Sequence, residues 1–264
     1  MTPFTQYDPY GGNWFTRIPP VTRNLILINL LIWIVEAISG RFGSVMLDYL
    51  GLHFFWGFSG CDFNPFQLVS YMFLHDPRTI WHVAFNMFTL YMFGRILEQT
   101  WGPKRFLIYY FVCGIGAAIV QEVVWALTWK MDFIDAIVNN PFYNLSEKTV
   151  RAQLANAPEQ FEILTQQFRN SFLTMGASGA VFGLLLAFAF IFPDMPLYLF
   201  FIPVPIKAKY MVAGYAVLEF FFGVTGTMGT VAHFAHLGGM IFGLGLLLWW
   251  RHDNRRNNPF GNWS

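Results

Sequence analysis

Along the chain, apolar runs long enough to cross a bilayer alternate with shorter polar stretches. A crossing helix needs about 17 to 25 mostly apolar residues, and segments of that kind fall near 22–40, 80–97, 106–129, 172–192, 208–223 and 231–250. The stretch from Phe220 to Trp250 holds no Asp, Glu, Lys or Arg and is too long for one crossing, but Gly223, Gly226 and Gly229 supply a turn in its middle. The pattern therefore predicts an all-α integral membrane protein, a bundle of six transmembrane helices in a single domain over 1–264. Short tails are expected at about 1–20 and 251–264.

Two loops on the outer side are long. Residues 41–79 carry Phe54, Phe55, Trp56, Phe58, Phe63 and Phe66, which predicts a loop lying in the membrane interface. The third outer loop, about 130–171, is more polar, and Asn144 and Glu147 stand in capping-box spacing ahead of a helix-prone segment reaching to about Phe172.

Composition fits this reading. Apolar residues make up 55% and charged residues only 12% of the sequence, far from the balance of a soluble domain. A net charge of +1 gives no bulk attraction for nucleic acid. The basic residues are informative by position instead: with both termini on one side, ten of the sixteen Lys and Arg fall on that side, and four of the other six lie in one long loop. By the positive-inside rule both termini are expected in the cytoplasm, and the expected setting of this multi-pass protein is a bacterial cytoplasmic membrane. Residues 1–20 have no apolar core followed by a small-residue cleavage site, so the first span is expected to direct insertion. Cys61 and Cys113 have neither metal nor redox spacing.

Polar groups inside apolar spans are costly and therefore mark candidate chemistry. Spans two, four and six all run inward from the outer side, and each carries polar residues one to two turns from its start: His82 and Asn86, then Ser178, then His233 and His236. At 1.5 Å per residue these reach a similar depth. Around Ser178 the glycines Gly176, Gly179 and Gly183 suit close helix packing, and Ala235, Gly239 and Gly243 form a matching small stripe beside His236. Backbones brought that close let a short serine side chain reach an imidazole. Helix packing alone also explains the glycines, and His82 with Asn86, an i, i+4 pair, also reads as an interhelical hydrogen-bonding pair. Glu36, Glu122 and Glu219 read as structural hydrogen-bonding groups.

These motifs resemble those of the rhomboid family of intramembrane proteases, in the order that family uses. Gly176-Ala177-Ser178-Gly179 resembles its GxSG, Ala235-His236-Leu237-Gly238-Gly239 its AHxxG, and His82 to Asn86 its HxxxN, followed by Gly94 and Glu98. The resemblance implies Ser178 as nucleophile and His236 as general base, a dyad without a third carboxylate. It implies an oxyanion hole of the Ser178 N–H, His82 and Asn86, with Phe182 supporting His236 where many relatives have Tyr. The implied activity is a serine endopeptidase cleaving membrane-protein substrates in or beside their transmembrane helices. No cofactor and no metal is called for. Phe220, Phe221 and Phe222 are candidates for a lateral gate. The first outer loop lacks the Trp-Arg pair of some bacterial relatives. Three rival readings remain: a catalytically silent relative that binds membrane clients, a transporter or channel, and a zinc site built on His82, His233 and His236, for which no HExxH stands in the sequence.

Overall fold

A computed structural model of the chain describes residues 17–55, 63–143, 145–199, 202–226 and 232–257. Trp56, Phe58, Cys61 and Asn144 lie outside the described residues, as does the second half of the Gly223–Gly229 turn.

Helices occupy all six apolar segments. The first is α1 (Pro20–Ile38); the first long loop, expected on the outer side, then holds α2 (Arg41–Leu50), β1 (Leu52–His53) and α3 (Gln67–Ser70). The second apolar segment is composite: α4 (Ile80–Thr89), a π-helical turn at Leu90–Gly94, and α5 (Arg95–Trp101). Next come α6 (Pro103–Val138), α7 (Glu147–Asn156), α8 (Glu162–Asn170) and β2 (Leu173–Thr174). The chain closes with α9 (Ser178–Ile191), β3 (Pro196–Leu199), β4 (Ile202–Lys207), α10 (Ala208–Thr225) and α11 (His233–Asn257). By length and composition three described helices could cross a membrane alone, over Pro20–Ile38, Pro103–Val138 and His233–Asp253. The apolar α9 has only 14 residues.

Several boundaries differ from the pattern-based expectation. The third helix runs to Val138 rather than 129, because nothing interrupts it before Asn139-Asn140-Pro141. The expected long loop is thereby reduced, and α7 and α8 fill most of what remains. The cap of α7 is Ser146, whose Oγ accepts from the Thr149 N–H at 3.2 Å. The fourth helix starts at Ser178 rather than 172, since Leu173 and Thr174 pair antiparallel with Leu52 and His53. That pairing, together with the β3–β4 hairpin, qualifies the all-α expectation.

Buried carboxylates tie the layers together. Val21 and Thr22 at the start of α1 have backbone N–H groups with no partner in their own helix. Glu98 accepts both, at 2.9 and 2.7 Å, and also the Thr22 hydroxyl at 2.7 Å. Glu36, near the other end of α1, accepts the His75 N–H at 3.2 Å, and Glu122 of α6 accepts that of Phe55 at 3.0 Å. These carboxylates thus bind backbone donors, as the structural reading of Glu36 and Glu122 expects.

The core lies where α6, α9 and α11 meet. Tyr109 donates its hydroxyl to the Gly183 carbonyl at 2.9 Å and Tyr71 to that of Gly114 at 2.7 Å, so the buried rings satisfy their polar ends internally. Phe54, expected at the interface, is buried instead against Trp125 and Phe172. Phe55 and Phe66 remain exposed. On α1, Leu27, Leu31, Ile34 and Ile38 form an exposed apolar stripe, the surface expected of a lipid-facing helix.

Candidate active site

Ser178 is the first residue of α9, and its half-buried side chain stands at the helix end whose leading N–H groups have no intrahelical acceptor. The turn into that helix depends on Gly176. Its φ of +127° is rarely open to residues with a side chain, and a Cβ there would stand 2.8 Å from His82 Nε2. The Gly176 N–H donates to the Tyr71 carbonyl at 2.9 Å, which anchors the turn to the first outer loop.

His236 sits one turn into α11. The two helices approach to backbone contact: a Cβ on Gly239 would collide with the Gly179 carbonyl, and one on Gly183 would stand 3.1 Å from the Gly239 carbonyl. This is why small residues stand on both facing stripes, and it lets the short serine side chain span the gap. Ser178 Oγ lies 2.8 Å from His236 Nε2. The Phe182 ring lies parallel to the imidazole, with centroids 4.3 Å apart and planes within 4°. The stack limits rotation of the ring, and it requires the ring of residue 182 but not a hydroxyl.

His82, at the entry of α4, is held by the preceding loop. The Asp76 N–H donates to His82 Nδ1 at 3.2 Å. In the neutral ring the proton then resides on Nε2, the nitrogen nearest the Gly176 turn. The Asp76 carboxylate is held in turn by Arg78 at 2.9 and 3.0 Å, bonds that keep its pKa below the ordinary carboxylate range. The Asn86 amide donates one hydrogen to the His82 carbonyl at 3.0 Å, leaving one hydrogen of the same nitrogen for another acceptor.

The sequence reading missed Glu219. Its Oε2 lies 2.7 Å from His233 Nδ1, in a hydrogen bond, and 3.0 Å from His236 Nδ1, close but off the line of a hydrogen bond. Glu219 is therefore not a structural glutamate without a partner in the cluster, and a carboxylate does stand behind the Ser178–His236 pair. A usable signal existed: Glu219 lies four residues inside the expected outer end of the fifth span, at the depth of the other candidates. Of the three phenylalanines that follow, Phe222 packs near His233, at 5.7 Å between centroids, while Phe220 and Phe221 are exposed.

Among the described residues, the metal-competent group is Glu219, His233 and His236, with ligand atoms within 4.8 Å of one another. His82 does not belong to it. The separations favour hydrogen bonding over coordination, since donor atoms on a tetrahedral zinc at about 2.0–2.1 Å lie roughly 3.3 Å apart.

A helical membrane fold with paired serine and histidine at one end of its bundle defines a class, and comparison with known families specifies it. The Rhomboid domain family model matches residues 62–252, and the chain belongs to the rhomboid family, whose members are generally intramembrane proteases. No curated protein matches the chain.

Proposed function

We propose that this protein is an intramembrane serine endopeptidase in which Ser178 and His236 act as a dyad. The observation that carries the reading is the 2.8 Å approach of Ser178 Oγ to His236 Nε2 at the N-terminus of a helix. His236 takes the serine proton as Oγ attacks the scissile carbonyl carbon, and it returns that proton to the leaving amine as the C–N bond breaks. Water then enters by the same sequence and releases the carboxyl product. The developing oxyanion meets the Ser178 N–H, the positive end of α9, the Nε2–H of His82 and the remaining amide hydrogen of Asn86.

Substrates in this reading are transmembrane proteins. A peptide bond within a helix is shielded by its own hydrogen bonds, so the favoured sites are those where small or helix-breaking residues let the segment unwind. The six apolar segments are six spans with both termini in the cytoplasm, and the Ser178 end of the bundle faces outward. The rival reading, a silent family member that only binds clients, leaves the intimate Ser178–His236 contact without a purpose.

The test is cleavage of a reporter transmembrane substrate in detergent and in vesicles. Ser178→Ala and His236→Ala are each expected to abolish cleavage, with the double variant no worse, because the two act as a unit. A fluorophosphonate should label the wild type and not Ser178→Ala. Clear turnover by either single variant would overturn the dyad, and wild-type protein that neither cleaves nor labels would favour the client-binding reading.

A further inference from the structure

We infer that Glu219 is a positioning residue for the base, standing behind the Ser178–His236 pair with His233 as the clamp on the carboxylate. The inference rests on the protease reading above and extends it to groups that a serine–histidine dyad does not use.

The argument begins with the tautomer of His236. If Nε2 is to receive the proton of Ser178, the neutral ring must carry its own proton on Nδ1. That nitrogen lies 3.0 Å from Glu219 Oε2, across helices α10 and α11. A carboxylate at this place favours the Nδ1–H tautomer and stabilises the imidazolium that forms when Ser178 gives up its proton. No proton needs to move to Glu219: it stays on Nδ1 throughout, while the serine proton passes to Nε2 and then to the leaving amine.

Glu219 would be a poor support if its side chain were free to turn away. His233 prevents this by donating from Nδ1 to the same oxygen at 2.7 Å, and both imidazoles are nearly fully buried. His233 is one helical turn from His236 and points along a different radial line, as the i, i+3 spacing requires, so its contact is with the carboxylate and not with Ser178. His236 is thus confined on two sides, by the Phe182 face stacked on its ring and by the carboxylate at its Nδ1 edge. The off-line approach to His236 makes this support weaker than that of a fully hydrogen-bonded triad carboxylate, whose neutralisation costs about 10⁴-fold in kcat.

Glu219→Gln, Glu219→Asp and His233→Ala are measured beside Ser178→Ala on the same reporter substrate. The expected result for Glu219→Gln is a fall in kcat on the order of 10- to 100-fold, with KM unchanged and slower fluorophosphonate labelling of Ser178. Glu219→Asp, which keeps the charge, should recover part of that loss. His233→Ala should lower kcat several-fold while leaving measurable cleavage, and chelators should change nothing. A purely structural role would lower the amount of folded protein without this split between kcat and KM. Wild-type kcat in folded Glu219→Gln, with Ser178→Ala inactive, overturns the inference while leaving the dyad intact. Cleavage by Ser178→Ala would instead overturn the protease assignment beneath it. Should Glu219→Gln fail to fold, His233→Ala decides the matter, and an unchanged kcat there overturns the clamp. Loss of activity on chelation, restored by zinc, would also overturn the inference in favour of a metal at these three side chains.

Discussion

In the proposed mechanism Asn86 serves structure and chemistry with one side chain. One amide hydrogen closes back on the His82 carbonyl at 3.0 Å, which steadies the first turns of α4, and the other is available to a developing negative charge. Because that charge is full only near the transition state, Asn86→Ala is expected to lower kcat by about 10²–10³, roughly 2.7–4 kcal/mol, with little change in KM. Ser178 should still label with a fluorophosphonate, though more slowly. Cleavage at the wild-type rate would reduce Asn86 to the intrahelical bond alone. Gly176 is similarly particular, since its left-handed backbone and its closeness to His82 both exclude a side chain.

The pairing of α9 with α11 sets the distance between Ser178 and His236. Gly239 is the tightest point, where an added methyl group would press on the Gly179 carbonyl, and a backbone cannot retreat as the end of a flexible side chain can. Gly239→Ala is therefore expected to cost on the order of 1–3 kcal/mol, the usual range for overpacking, and to separate Ser178 from His236. Unfolding in detergent and the rate of fluorophosphonate labelling should both respond. Unchanged labelling would mean that the helices can part without breaking the hydrogen bond. Among the elements, α6 and α11 were readable from their long apolar runs. The composite α4–α5 helix was readable in position but not in its π turn, because hydropathy does not report hydrogen-bond register.

Across the whole molecule, the Ser178 end of the bundle and the cap formed by α7 and α8 are separate packing units. Phe133, Ile134 and Ile137 of the extended α6 enclose a small core with Val150 and Phe161, apart from the cluster around the site. Val150→Asp places a carboxylate in that core without a partner. It is expected to expose the region around 141–160 to limited proteolysis while Ser178 still labels at close to the wild-type rate. Loss of labelling would show that the cap and the site are coupled, for which β2 and the Phe54–Phe172 contact are the physical route.

Much of this molecule is dictated locally. The apolar runs demand helices in an apolar solvent, since backbone polar groups there have no water to satisfy them, and the small residues around Ser178 and His236 mark where helices can touch. Counting residues inward from the span ends also puts His82, Asn86, Ser178 and His236 at one depth. What counting cannot supply is the rotation of each helix about its axis or the choice of neighbour, because both depend on packing between residues far apart in sequence. Only the tertiary structure aims Asp76 at His82, lays Phe182 on His236, and turns Glu219 from the lipid toward two histidines on the next helix. A half-buried carboxylate is costly in a membrane and must find donors, and which donors it finds is decided when α10 and α11 pack together.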